Sequence, residues 1–129
     1  MKFLILLLPL IAFCGCATID SSDIGGHHMV SIKNSAWKLF DFIPIASGNP
    51  QYPNKASSRL FCDTVTLESN ISMLDKTIEA RGASGYKTLS SYITDESVFF
   101  ILLNRTICHT SAELIFGGDI PSNAAQEAK

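Results

Sequence analysis

The sequence predicts an α+β domain, a small antiparallel sheet of about four strands with one amphipathic helix packed on it, in the order strand, helix, strand, strand, strand. Three observations predict it. Leu67, Ile71, Leu74 and Ile78 fall at helical spacing, one above another on a single stripe. Residues 98–103, Val-Phe-Phe-Ile-Leu-Leu, are apolar on both parities, as a strand buried on both faces would be. Residues 30–45 are rich in β-favouring side chains and alternate in part, with Trp37, Leu39, Ile43 and Ile45 on one parity.

In chain order, Lys2 precedes residues 3–13, which are apolar throughout. That is the charged start and apolar stretch of an export signal, and it is too short for a bilayer core that needs about 20 apolar residues. The residues that follow, Ala12-Phe13-Cys14-Gly15-Cys16-Ala17, set the kind of signal. Gly15-Cys16 resembles the lipobox of bacterial lipoproteins, in which a small residue precedes a cysteine that is acylated and becomes the mature N-terminus. The resemblance implies a signal peptide at 1–15, a diacylglyceryl group and an amide-linked acyl chain on Cys16, and a lipid anchor in a bacterial cell envelope. Ala17 after the cysteine implies the outer membrane, facing the periplasm. Cleavage after another small residue, releasing a secreted protein, is the alternative, since Ala12 and Cys14 form a small-x-small pair.

Residues 16–29 are polar and contain Gly25-Gly26, which reads as a lipid-attached tether, so the domain is expected over 30–116. Pro44 ends the first strand, and the turn formers of residues 47–55 make a surface loop. The helix is expected over 64–81, with Asp63, Thr64 and Thr66 as competent N-caps and Gly82 as C-cap. Lys76, Glu79 and Arg81 form its solvated side. A meander follows, with strands at 86–94, 98–103 and 106–116 and turns at Asp95-Glu96 and Asn104-Arg105. Residues 117–129 are small and polar, a flexible tail.

The residues able to carry chemistry are few. Ten Lys and Arg against twelve Asp and Glu, a formal net charge of −2, supply no basic surplus for phosphate backbones, so nucleic acid is excluded as the main partner. Outside the processing region only Cys62 and Cys108 remain, and an exported pair is most simply a disulfide. Cys108-His109 invites a thiolate–imidazole reading, but neighbours on a strand point to opposite faces. His27, His28 and His109 are weak metal candidates, two of them adjacent in a polar segment. Tyr52 and Phe42, at the edges of the Pro-rich loop, are candidates for an exposed patch.

No CxxC pair, HExxH, Gly-rich phosphate loop or GxSxG elbow is present, and no cofactor is implied. The expectation is a membrane-anchored envelope lipoprotein of interaction or structural type, not an enzyme, with the membrane and an envelope protein as partners. A secreted ligand- or metal-binding domain is the first alternative. A thiol enzyme or redox protein is the second.

Overall fold

A computed structural model describes residues 15–55, 57–99 and 102–117. Of the expected signal at 1–15 and tail at 117–129, residues 1–14 and 118–129 lie outside the described residues. Along the chain run β1 (Ala17–Ile24), β2 (His27–Leu39), β3 (Ile43–Gly48), β4 (Ser58–Leu60), α1 (Leu67–Arg81), β5 (Gly85–Phe99) and β6 (Leu103–Ile115). The α+β class and the antiparallel sheet hold. The sheet has six strands among the described residues, however, in the order β4-β3-β2-β6-β5 with β1 also on β2.

β2 organises the sheet. One edge pairs with β6 from His28 to Leu39. The other edge is shared: β1 takes His27 to Asn34, and β3 takes Ala36 to Leu39. Ser35 falls between the two.

Three expectations change here. The expected tether is β1 and the start of β2. Gly25 and Gly26, at φ 58° and 84°, make the two-residue loop joining Ile24 to its partner His27, a conformation that glycine adopts without steric cost. Ala17 and Ile19 supply the core-facing side chains of β1, so its other residues can be polar. The expected strand over 30–45 is two, reversing at Phe40 and Asp41, both with positive φ. The expected three-strand meander is one long hairpin. Asp95 and Glu96 pair with Thr106 and Arg105 inside β5 and β6 instead of turning, and Val98 and Leu102, the described ends of the apolar run, lie exposed at the end of the hairpin, Val98 at 55%.

Burial follows the pleat. In β6 every even-numbered residue from Asn104 to Leu114 is buried and every odd one half-buried. The even face carries Val30, Ile32, Asn34 and Ala36 of β2 as well, and α1 packs across it. Ile32, Met73 and Leu74 are fully enclosed, each stabilising the fold by about 1.5–3 kcal/mol through burial. The Thr66 hydroxyl caps α1 by accepting from Ser69 N, and Gly82 ends it in the left-handed region at φ 66°. The helix is turned relative to the expected stripe. Its buried residues are Asn70, Met73, Leu74 and Thr77, while Leu67 is 46% exposed. Asn70 fits because its Nδ2 donates to Cys108 O at 3.2 Å and to Thr110 Oγ1 at 2.9 Å, tying α1 to β6. A second polar clamp holds the segment before the helix. Asn34 Nδ2 donates to Thr64 O at 2.6 Å, and the Thr64 hydroxyl reaches Gly48 O and Ser47 Oγ.

Candidate functional site

Among the described residues, no helix packs on the odd-numbered face of β2 and β6. Cys16 stands at its margin, exposed, one residue before β1. Its backbone is fastened to the gap left at Ser35: Ser35 N donates to Cys16 O at 2.9 Å, and Cys16 N donates to Ser35 Oγ at 3.1 Å. The next residues are held from the far side. Asn54 N donates to Ala17 O at 2.9 Å, and the Asn54 amide accepts from Ile19 N at 2.8 Å and donates to Ile19 O at 3.0 Å. The residue expected at the start of a flexible tether is therefore attached directly to the sheet.

Beside it lies an open groove of about 390 Å³ lined by Cys16, Lys33, Ser35, Glu96, Arg105 and His109, among others. Strand register explains the convergence. Lys33 faces His109, His109 faces Tyr92, and Arg105 lies between Trp37 and Glu96. The Arg105 guanidinium sits 5.7 Å from the centre of the Trp37 ring, a cation–π contact, and its buried Nε has no hydrogen-bond partner. The His109 and Tyr92 rings stack at 4.7 Å and 9°. Partial burial, then the positive charge of Lys33, hold the His109 imidazole below its ordinary pKa, with Glu96 opposing them.

One end of the sheet is apolar and open to solvent. Phe40 N donates to Leu102 O at 3.0 Å, joining the β2–β3 tip to the β5–β6 tip. The Phe40 and Phe42 rings stack at 6.4 Å. Phe42 is 74% exposed and Phe61, after β4, 79% exposed, with Ile43, Leu60 and Leu102 also exposed. Single exposed apolar residues are ordinary, but a concentration at one end of a fold marks a contact surface. Of the two aromatic residues singled out from the sequence, Phe42 belongs to this end. Tyr52 is exposed in the loop after β3, with Lys55 over its ring at 5.4 Å. Cys16 lies against Ser35, four residues before the tip begins at Leu39, roughly 13 Å by strand rise, and β1 runs away from the tip.

The other expected site residues do not converge. Cys62 and Cys108 form no disulfide: Cys62 is exposed after β4, whereas Cys108 is enclosed with Ala36 and Val65 under the helix side of β6. Cys108 and His109 point to opposite faces, as strand geometry requires. His27 and His28 likewise diverge. His27 Nδ1 meets Glu113 Oε1 at 2.6 Å, holding that carboxyl below its ordinary pKa, and His28 Nδ1 meets Asp23 Oδ1 at 2.6 Å. Lys33, the neighbour of His109, is six residues along β2 from His27, roughly 20 Å. Among the described residues no group of three His, Cys, Asp or Glu side chains is placed to hold a metal ion. Nor is any described helix long and apolar enough to cross a membrane. Comparison with protein-family models, with curated proteins and with solved structures finds no match.

Proposed function

We propose that the protein is a lipoprotein of a bacterial envelope, acylated on Cys16, whose domain works by binding at a membrane surface. The observation that carries this reading is the position of Cys16: exposed, fastened to Ser35, and one short strand segment from the exposed aromatic end. With no tether between lipid and sheet, an acyl anchor there would hold the sheet against the bilayer in one orientation. Phe40, Phe42 and Phe61 would then meet the lipid interface beside the acyl chains. The acyl chains on Cys16 would suffice for a stable anchor, since stable anchoring takes two chains, and the aromatic contact would add orientation. The Cys16 backbone N–H that bonds Ser35 Oγ is retained when that nitrogen carries an acyl group, so the docking and the modification are compatible.

Labelling cells with a radioactive fatty acid tests the reading. Label should enter the wild-type chain and be absent from Cys16→Ala. An unlabelled wild-type chain, or label persisting in Cys16→Ala, would overturn it. The secreted ligand-binding alternative draws its support from the cationic groove, and the anchored reading accommodates the same groove.

A further inference from the structure

We infer that the open-face groove beside Cys16 binds the phosphate of a phospholipid headgroup, with Arg105 and Lys33 as its cationic contacts. The inference rests on the anchored reading above and adds to it a ligand and a site.

The charge inventory selects an anion. Two cations, Lys33 and Arg105, line the groove against the single carboxylate of Glu96, and neither cation is in an ion pair within 4.0 Å among the described residues. Partial burial and then Lys33 hold the His109 imidazole below its ordinary pKa against the opposing Glu96, and its ring lines the groove beside Lys33. Arg105 is the strongest element. Its guanidinium is held over the Trp37 ring at 5.7 Å, so the fork enters the groove already oriented. A planar fork matches phosphate oxygens better than a point charge does. Lys33 supplies further donors across the groove.

Depth along the strands selects the source. Arg105 is two residues from Leu103 and three from exposed Leu102, so roughly 7–10 Å above the aromatic end. The headgroup layer on each side of a bilayer is about 5–8 Å thick, from the difference between total and hydrocarbon thickness. An aromatic end seated at the hydrocarbon boundary puts Arg105, the lower end of the groove, at the outer edge of the headgroup layer, with Lys33, six residues from Leu39 and roughly 20 Å along β2, reaching in from the aqueous side. Free phosphate shares the chemistry but not this register.

The test uses the full-length protein purified in a neutral sugar-headgroup detergent. It is titrated by calorimetry with dihexanoyl phosphatidylglycerol, inorganic phosphate and phosphate-free dihexanoylglycerol, while the fluorescence of Trp37, the only tryptophan, reports on the groove. Short-chain phosphatidylglycerol should bind saturably and change the Trp37 signal. Arg105→Gln should weaken binding about tenfold or more, as for a lost hydrogen bond to a charged group. Lys33→Gln, at an exposed position where folding is not at risk, should weaken it several-fold, and Lys76→Gln on the helix's outer side should leave it unchanged. Absence of saturable binding, or binding indifferent to both Arg105→Gln and Lys33→Gln, would overturn the inference. Equal affinity for inorganic phosphate would overturn the lipid source, and equal affinity for dihexanoylglycerol would overturn the phosphate. Intact mass of the same preparation keeps the two claims apart: binding without acyl mass refutes the anchor alone, and acyl mass without binding refutes the groove alone.

Discussion

Replacing Gly48 with alanine should unfasten the start of the domain from the sheet while leaving its core intact. A Cβ on Gly48 would stand 2.5 Å from Asn34 Oδ1, 2.6 Å from Ala17 N and 2.6 Å from the carbonyl carbon of Cys16. Two of these are backbone atoms that cannot swing aside, and Gly48 is not among the positive-φ glycines, so the penalty is steric, not conformational. The nearest relief is to lift Cys16 and Ala17 away. That breaks Ser35 N to Cys16 O, Cys16 N to Ser35 Oγ and Asn54 N to Ala17 O. At about 0.5–1.5 kcal/mol for each of the three hydrogen bonds, the local loss is about 1.5–4.5 kcal/mol. With tenfold per about 1.4 kcal/mol, amide exchange at Ser35 and Asn54 should quicken about 10- to 1,000-fold. Amides of β6 should keep their wild-type rates. Hydrogen exchange read by NMR checks this. Unchanged exchange at Ser35 in a folded Gly48→Ala variant would refute the docking of Cys16. Uniform acceleration across β6 would show that the contact belongs to the global core instead.

Leu74→Ala should cost about 2–5 kcal/mol in urea denaturation, because the side chain is fully enclosed, whereas Leu67→Ala, half exposed, should stay within about 0.5 kcal/mol. Equal costs would refute the buried face assigned to α1. The depressed pKa of His109 has a defined sign. The unfolded chain binds the proton first, so stability is full above the ordinary histidine value of about 6.5 and falls as pH drops through the folded value. His109→Gln should flatten that slope in denaturation midpoints measured across the window, and an unchanged slope would contradict the assignment. Cys62 should react with iodoacetamide in the native protein without reductant, while Cys108 should react only on unfolding. Resistance of both until reduction would restore the disulfide.

The helix was the most legible element because its signals are local. Thr66 and Gly82 cap it, and the apolar spacing is long enough to exclude a strand. Its rotation was not legible. Asn70 and Thr77 are buried through hydrogen bonds to Cys108, Thr110 and Met73, and a pattern of apolar letters does not register polar side chains satisfied in the interior. β1 was hidden for a related reason. Asp and Ser dominate it, and only Ala17 and Ile19 face the core, although Gly25-Gly26 is a hairpin signal that could have located it. The apolar letters of residues 98–103 misled because the end of a hairpin and a central strand can have the same composition, and only the pairing of Phe99 with Leu103 separates them. The immediate neighbours of Cys16 singled it out, but not its attachment to Ser35, which is long-range. The groove was not legible, since Cys16, Lys33, Glu96, Arg105 and His109 come together only through the register of β1, β2, β5 and β6.

Intact mass spectrometry of the mature protein, extracted from the membranes of the cells that make it, bears most directly on anchoring through Cys16. The expected species begins at Cys16 and carries the mass of a diacylglyceryl group with an amide-linked acyl chain, lost on Cys16→Ala. A mature chain beginning at any other residue, or one beginning at Cys16 without acyl mass, would contradict it.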